Sequence, residues 1–214
     1  MPDSSPAVPC PLCGFPSSVH LRARQRVYRH CAKCGLIHVP AVFHLSPEEE
    51  RAIYELHTNH PAEQGYRDFL DRALRPTLAG LPPGAQGLDF GSGPGPTLSL
   101  MATERGYPCV DYDPYFAPHS ERLSATYDFI TVTEAIEHFA SPLTELTTLF
   151  GCLRPGGRLC IMTKRIPDTP FADWHYPRDP THIAFFAERT FAWIGKRFGA
   201  GVEFVGRDVV LLTV

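Results

Sequence analysis

Long apolar runs are missing from this chain of 214 residues, and none approaches the roughly 20 apolar residues that a bilayer crossing needs. A basic start followed by an apolar core is missing as well. The opening MPDSSPAVPC is therefore not read as a secretory signal, and the expected setting is the cytoplasm. No internal repeat and no low-complexity tract is present. A strong excess of either charge is absent too: the formal net charge is −3, so the chain as a whole is no nucleic-acid magnet. The hydrophobic fraction of 43% is ordinary for a globular protein. The length suits one good-sized domain with a small appendage.

What is present is unevenly placed. Arg22, Arg24, Arg26, Arg29 and Lys33 face only Asp3 within residues 1–40, so that segment is basic and the remainder acidic. Such a front module could touch a phosphate-bearing partner, or simply present a solvated face. Four of the seven cysteines form two Cys-x-x-Cys pairs, Cys10/Cys13 and Cys31/Cys34. Cys109, Cys152 and Cys160 lie in apolar stretches and read as core packing.

The local patterns divide the chain into a cysteine module over 1–40, a helical linker or cap over 41–84, and a larger domain over 85–214. Ser46, Pro47 and Glu49 predict a helix start with a capping box. Thr58-Asn59-His60-Pro61 is expected to end that helix. A second helix is expected over about 62–75, with Tyr66, Phe69, Leu70, Ala73 and Leu74 on one stripe and Pro76 disturbing its end. From Gly87 the pattern alternates: QGLDF strand, TLSLMATERG helix, YPCVDYD strand, YDFITVT strand, SPLTELTTLFGCLRPGG helix stopping at Gly156, RLCIMT strand, ERTFAWIGKRFG helix and two closing strands. This alternation predicts an α/β fold with a mostly parallel sheet covered on both faces.

Two constellations carry chemistry. Cys10-x2-Cys13-x17-Cys31-x2-Cys34, with Gly14 and Gly35 after each pair, has the spacing of a zinc ribbon. Four thiolates close the tetrahedral shell, so the zinc is expected to be structural. The second is LDFGSGPGPTLS, residues 88–99. Here a strand ending in Asp89 runs through Gly91, Gly93 and Gly95 into a helix, a turn that lets backbone approach a ligand. An acidic residue is expected at the end of the next strand, where both Asp111 and Asp113 stand.

The D-x-G-x-G-x-G turn resembles the class I S-adenosylmethionine-dependent methyltransferases rather than the dinucleotide enzymes. ERGYPCVDYDP, YDFITVTEAIEHF and LRPGGRLCIMT resemble further stretches of that family, and the likeness covers roughly residues 60–214. A front zinc ribbon also occurs among such methyltransferases, including deoxysugar C-methyltransferases and a ribosomal RNA guanine methyltransferase. The resemblance implies a Rossmann-like class I methyltransferase sheet with S-adenosylmethionine as cofactor. Gly91, Gly93 and Gly95 would bed its methionine part, Asp89 would order that loop or meet the amine, and Asp113, preferred over Asp111, would hold the ribose. Thr133 and Glu134 would open towards the cofactor. Tyr66 would reach over it, or serve as one more core aromatic. Residues 114–126 are too short for the family's third βα unit, so the third strand is expected to be missing or vestigial.

His138, in Glu134-x-x-Glu137-His138, stands at a strand's carboxyl end and is the first candidate base; positioning the loop is its other reading. The aromatic segment DWHYPRDPTHIAFF, residues 173–186, is expected to cover the same end of the sheet. His182 and His175 within it could bind substrate, act as acid or base, or belong to a packed lid. His175, Asp179 and His182 do not form a recognised metal-ligand spacing. The expected activity is methyl transfer to a small-molecule acceptor. RNA methylation guided by the basic ribbon and non-catalytic binding of cofactor or partner are the rivals, and the glycine spacing disfavours a nicotinamide oxidoreductase.

Overall fold

The computed structural model describes residues 8–56 and 60–214. In chain order its elements are β1 (Val8–Pro9), β2 (Pro16–Ala23), β3 (Arg26–His30), β4 (Ile37–His38), α1 (Pro47–Tyr54), α2 (Gln64–Leu78), β5 (Gly87–Phe90), α3 (Thr97–Glu104), β6 (Cys109–Tyr112), β7 (Tyr127–Thr133), α4 (Pro142–Gly151), β8 (Leu153–Met162), β9 (Ala184–Phe185), α5 (Glu188–Phe198), β10 (Gly201–Val205) and β11 (Val209–Thr213).

The main sheet has the order β10-β11-β8-β7-β5-β6. The β6–β5, β5–β7 and β7–β8 pairs are parallel, whereas β11 runs antiparallel to both neighbours. Strand alternation sorts the core onto two faces. Leu159 and Ile161 of β8 join Ile130, Val132, Phe191 and Ile194 on one side, while Cys160 and Met162 join Phe129, Leu70, Leu74 and Met101 on the other. Among the described residues no strand lies between β6 and β7; 120–124 form a short 3₁₀ turn, and Arg122 donates to the Asp111 carbonyl. The missing third strand leaves β6 at the sheet edge.

Three local expectations meet the structure differently. The capping box of α1 forms as read: Ser46 N–H donates to Glu49 Oε2 at 2.9 Å, and Glu49 N–H to Ser46 Oγ at 3.3 Å. That helix ends at Tyr54, and Thr58 and Asn59 lie outside the described residues. Helix α2 does not stop before Pro76 but runs through it to Leu78. The proline costs only one bond of the last turn, Thr77 and Leu78 are buried, and the Arg158 guanidinium donates to the carbonyls of Thr77 and Ala79. Helix α4 stops at Gly151 rather than Gly156, because Cys152 O accepts from Tyr127 N–H at 2.8 Å and the next residues enter β8. No helix of the described residues is long and apolar enough to cross a membrane.

The cysteine module is not a separate bead. Its sheet, β1-β2-β3-β4-β9, takes its last strand from the body, with Ile37 opposite Phe185 and His38 opposite Ala184. Tyr28, Ile37 and Val39 pack with Phe171, Trp174, Tyr176 and Phe185 in one shared core. The β2–β3 turn is Arg24-Gln25, both at positive φ (53° and 58°), as a two-residue hairpin with this twist demands.

Candidate active site and metal centre

At the carboxyl ends of β5, β6 and β7 the chain leaves a cleft of about 560 Å³, within the usual range for small-ligand sites. The floor is the glycine turn. Gly91 has φ +77°, and a Cβ there would lie 2.6 Å from Ala135 Cβ, so only glycine lets this loop pass under the end of β7. Gly93 N–H donates to Asp113 Oδ2 at 2.9 Å, while Asp113 Oδ1 accepts from the N–H groups of Tyr115 (2.8 Å) and Phe116 (3.0 Å). One carboxylate thus ties the glycine turn to the turn after β6. Asp89 accepts from Thr131 Oγ1 at 2.7 Å, and complete burial pushes its carboxyl up to about 7.

Asp89, Gly91, Gly93, Gly95, Asp113, Thr133, Glu134, Tyr66 and His138 all line this one cleft. Asp111 does not: it sits inside β6 opposite Asp89. Buried polar atoms without a partner at Ser92 Oγ, Thr97 Oγ1, Glu134 Oε1 and Glu145 Oε2 belong to residues on the cleft wall. A ligand carrying several donors and acceptors, as S-adenosylmethionine does, fits such a wall.

The far end is built on β7. Glu134 has φ +47°, strained for a residue with a Cβ, and its N–H is fixed to Met162 O at 2.8 Å. Glu137 is fully buried and accepts from Thr163 Oγ1 at 2.9 Å and from the Tyr176 hydroxyl. That hydroxyl also lies 3.4 Å from Glu134 Oε2. Burial is the main cause that raises both carboxyls, Glu137 to about 7 and Glu134 to about 8, with Glu137 the next cause at Glu134. His138 Nδ1 sits 3.0 Å from Thr181 O and His182 Nδ1 2.8 Å from Tyr176 O. A carbonyl only accepts, so each Nδ1 carries the proton. The two rings lie 4.9 Å apart, with His182 buried behind His138. His175 lies elsewhere, exposed, with Nε2 3.0 Å from Lys164 Nζ.

Three lining residues escape a reading of the sequence. Glu50 accepts from Tyr54 OH (2.8 Å) and Tyr115 OH (2.7 Å), and the Tyr54 ring meets His138 edge-on at 5.3 Å. Glu50 and Tyr54 share one face of α1 at i, i+4 spacing, the one local signal for them.

The four ribbon cysteines converge, with each sulfur within 4.8 Å of the others. Cys10 Sγ lies 3.6 Å from Cys34 Sγ, and Cys13 Sγ 3.3 Å from Cys31 Sγ. These are near the roughly 3.8 Å edge of a tetrahedral zinc–thiolate site and far from a bonded disulfide. The two knuckles repeat: Gly14 N–H donates to Cys10 O at 2.9 Å, and Gly35 N–H to Cys31 O at 2.8 Å. The donor set fits a structural zinc.

Among the described residues none of the ribbon lines the cleft; the ribbon packs on the loop over 171–185 and, through Leu12 and Leu36, joins the core behind the sheet. Arg26 donates to four of that loop's carbonyls, at Pro177 (2.7 Å), Pro180 (3.0 Å), Asp179 (3.1 Å) and His182 (3.2 Å). Arg24 donates to Ala172 O, and the buried Arg29 to Ser17 O.

A family model described as a methyltransferase domain matches residues 58–203. A ubiquinone biosynthesis O-methyltransferase of Vibrio parahaemolyticus is 30% identical over 77 residues, 36% of this chain and 33% of that protein. The match therefore spans about a third of that curated relative's length. Among solved structures, the 1,6-didemethyltoxoflavin-N1-methyltransferase of Burkholderia thailandensis, with S-adenosylhomocysteine bound, aligns with a TM-score of 0.53 at 17% identity over 91% of this chain and 97% of that one. A mitomycin 7-O-methyltransferase aligns with a TM-score of 0.53 at 15% identity over 80% of this chain and 58% of the other. At these identities the structures show a shared fold.

Proposed function

The chain belongs to the methyltransferase-domain family, and from that premise we propose that it transfers the methyl group of S-adenosylmethionine to a small-molecule acceptor. The observation that carries this reading is the single cleft in which the glycine turn, Asp113 and the far-end Glu134 and His138 face one another. The cofactor supplies an electrophilic methyl; the chain's task is to hold both partners in line. Gly91, Gly93 and Gly95 bed the methionine end, and Asp89 orders that turn behind them. Asp113 has three of its four acceptor sites filled by N–H groups, leaving one for a ribose hydroxyl. Tyr66 and Thr133 close the cofactor end, and Glu134 marks the passage to the acceptor. His138 stands at the acceptor end with His182 behind it; exposed His175 takes no part.

Several features support a compact acceptor over RNA. The far end is enclosed by the side chains of Tyr54, Tyr115 and Phe139. Of Arg22, Arg24 and Arg26, which would have to guide RNA, Arg24 and Arg26 donate to main-chain carbonyls of the protein itself. The zinc ribbon acts as a scaffold that shapes the acceptor side from behind, by setting the loop that carries His182.

Calorimetry with S-adenosylhomocysteine tests the reading, using wild type and Asp113→Asn with thermal unfolding as the control for folding. Micromolar binding that weakens at least tenfold in the folded variant is the expected outcome. No binding by the wild type overturns the cofactor assignment.

A further inference from the structure

The acceptor end holds more ligand atoms than a proton transfer uses. One donor atom from each of Glu137, His138 and His182 lies within 4.8 Å of the other two. Both histidines give the Nδ1 proton to carbonyls of the same loop, Thr181 O and Tyr176 O. Each ring is thereby locked in orientation and tautomer with Nε2 as its lone-pair nitrogen, the outer arrangement typical of metal-binding imidazoles.

The carboxylates point to the same conclusion through a shortage of donors. The Tyr176 hydroxyl has one proton and lies against both Glu137 and Glu134, so it serves Glu137. Glu134 is left with Oε1 buried and without a partner, on a backbone held at φ +47°. A buried carboxyl oxygen with no hydrogen-bond partner is costly, and a cation bound there would meet it and hold the carboxyl in its ionised form. His182 Nε2 also stands 3.9 Å from Asp179 Oδ2, but that carboxylate is committed through Oδ1 to Thr181 N and Oγ1. A packing cluster alone accounts for the buried rings but gives the Glu134 oxygen no partner; a cation held by Glu137, His138 and His182 would supply one from the acceptor side.

We propose that Glu134, Glu137, His138 and His182 form a binding site for one divalent transition-metal cation at the acceptor end of the cleft. Two imidazole nitrogens with carboxylate oxygens suit a cation of intermediate hardness such as Mn²⁺, Fe²⁺ or Co²⁺. The ribbon, with thiolates alone, selects a softer ion and is a separate site. Glu134 and His138 face the cleft, so open coordination positions point to the acceptor. There the cation would bind an acceptor oxygen and favour its deprotonated form, the proton leaving to water. This role rests on the methyltransferase reading; the binding of the cation does not.

The probe is Mn²⁺, titrated into the full zinc-loaded chain and followed by the electron paramagnetic resonance signal of free Mn²⁺. One bound Mn²⁺ per chain is expected, with affinity falling at least tenfold in Glu134→Gln and in His182→Gln and unchanged in His175→Gln. Thermal unfolding of each variant shows that it folds, and Glu134→Gln stands alone if the buried His182 variant does not. The site is overturned if wild type retains no Mn²⁺ at millimolar concentration, or if folded Glu134→Gln binds it as wild type does. S-adenosylhomocysteine binding on the same samples separates the two claims: Mn²⁺ bound without it upholds the metal site and removes its methyl-transfer role.

Discussion

The ribbon cysteines and the acceptor-end group of Glu137, His138 and His182 are both convergent sets of donor atoms, assembled by opposite means. Each cysteine knuckle closes within five residues through its own backbone bonds, Gly14 to Cys10 and Gly35 to Cys31. The acceptor-end group needs the end of β7, a strained Glu134, and a loop that reaches back after β8. That loop is held from outside, by Arg26 of the ribbon and by the β4–β9 pairing. The ribbon and that loop share a core and a strand pair, so loss of the ribbon is expected to disorder the acceptor end.

Breaking the ribbon gives the largest effect. Cys31→Ser should remove zinc and unfold the module, since structural zinc in small modules is worth on the order of 10 kcal/mol. Zinc content and near-ultraviolet dichroism of the Trp174 and Tyr176 cluster read both halves of the claim, and an unchanged aromatic signal would refute the coupling of the loop to the ribbon. Next comes the seam itself. His38 is buried on β4, and its Nε2 is 3.0 Å from Ser17 Oγ. The Ser17 hydroxyl donates to Val8 O, so neutral His38 is the donor and a second proton has no partner. Burial, aided by the Arg29 charge, lowers its pKa from 6.5 to about 4. The unfolded chain binds the extra proton first, so this contribution is complete above pH 6.5, fades as the pH falls, and is gone near pH 4. The span corresponds to about 3 kcal/mol, measured as the difference between wild type and His38→Gln in urea unfolding at each pH.

A smaller cut separates the two regions without touching either donor set. Arg26→Ala removes the bonds to four carbonyls and should cost about 2 kcal/mol. It should speed hydrogen exchange over 176–183 and leave S-adenosylhomocysteine affinity within twofold. The smallest effect belongs to α1, which carries Glu50 and Tyr54 to the acceptor end. Ser46→Ala removes half of the capping box and should cost about 1 kcal/mol of stability, with zinc retention unaltered.

Local features were legible in the chain because local geometry produces them. The capping box of α1, the two knuckles and the glycine turn each rest on a few adjacent residues, and each appears where the residue types require it. The extension of α2 through Pro76 was not legible, because Arg158, distant in the chain on β8, supplies donors to its last carbonyls. The stop of α4 at Gly151 was equally hidden, since Tyr127 takes the Cys152 carbonyl. The loop histidines read alike in the sequence, yet one is buried behind His138 and the other is exposed beside Lys164.

By itself the sequence determined the α/β alternation, the four-cysteine knuckles, the glycine turn, and the shortened segment that leaves no room for a third strand. These follow from spacing, turn chemistry and periodicity, which act within about ten residues. Only the tertiary structure decided that Glu50 and Tyr54 face the cleft, that His182 rather than His175 joins Glu137 and His138, and that the ribbon's arginines are used on its own body. Those choices depend on which carbonyls and apolar faces remain uncovered when distant elements meet, and burial leaves few ways to satisfy them.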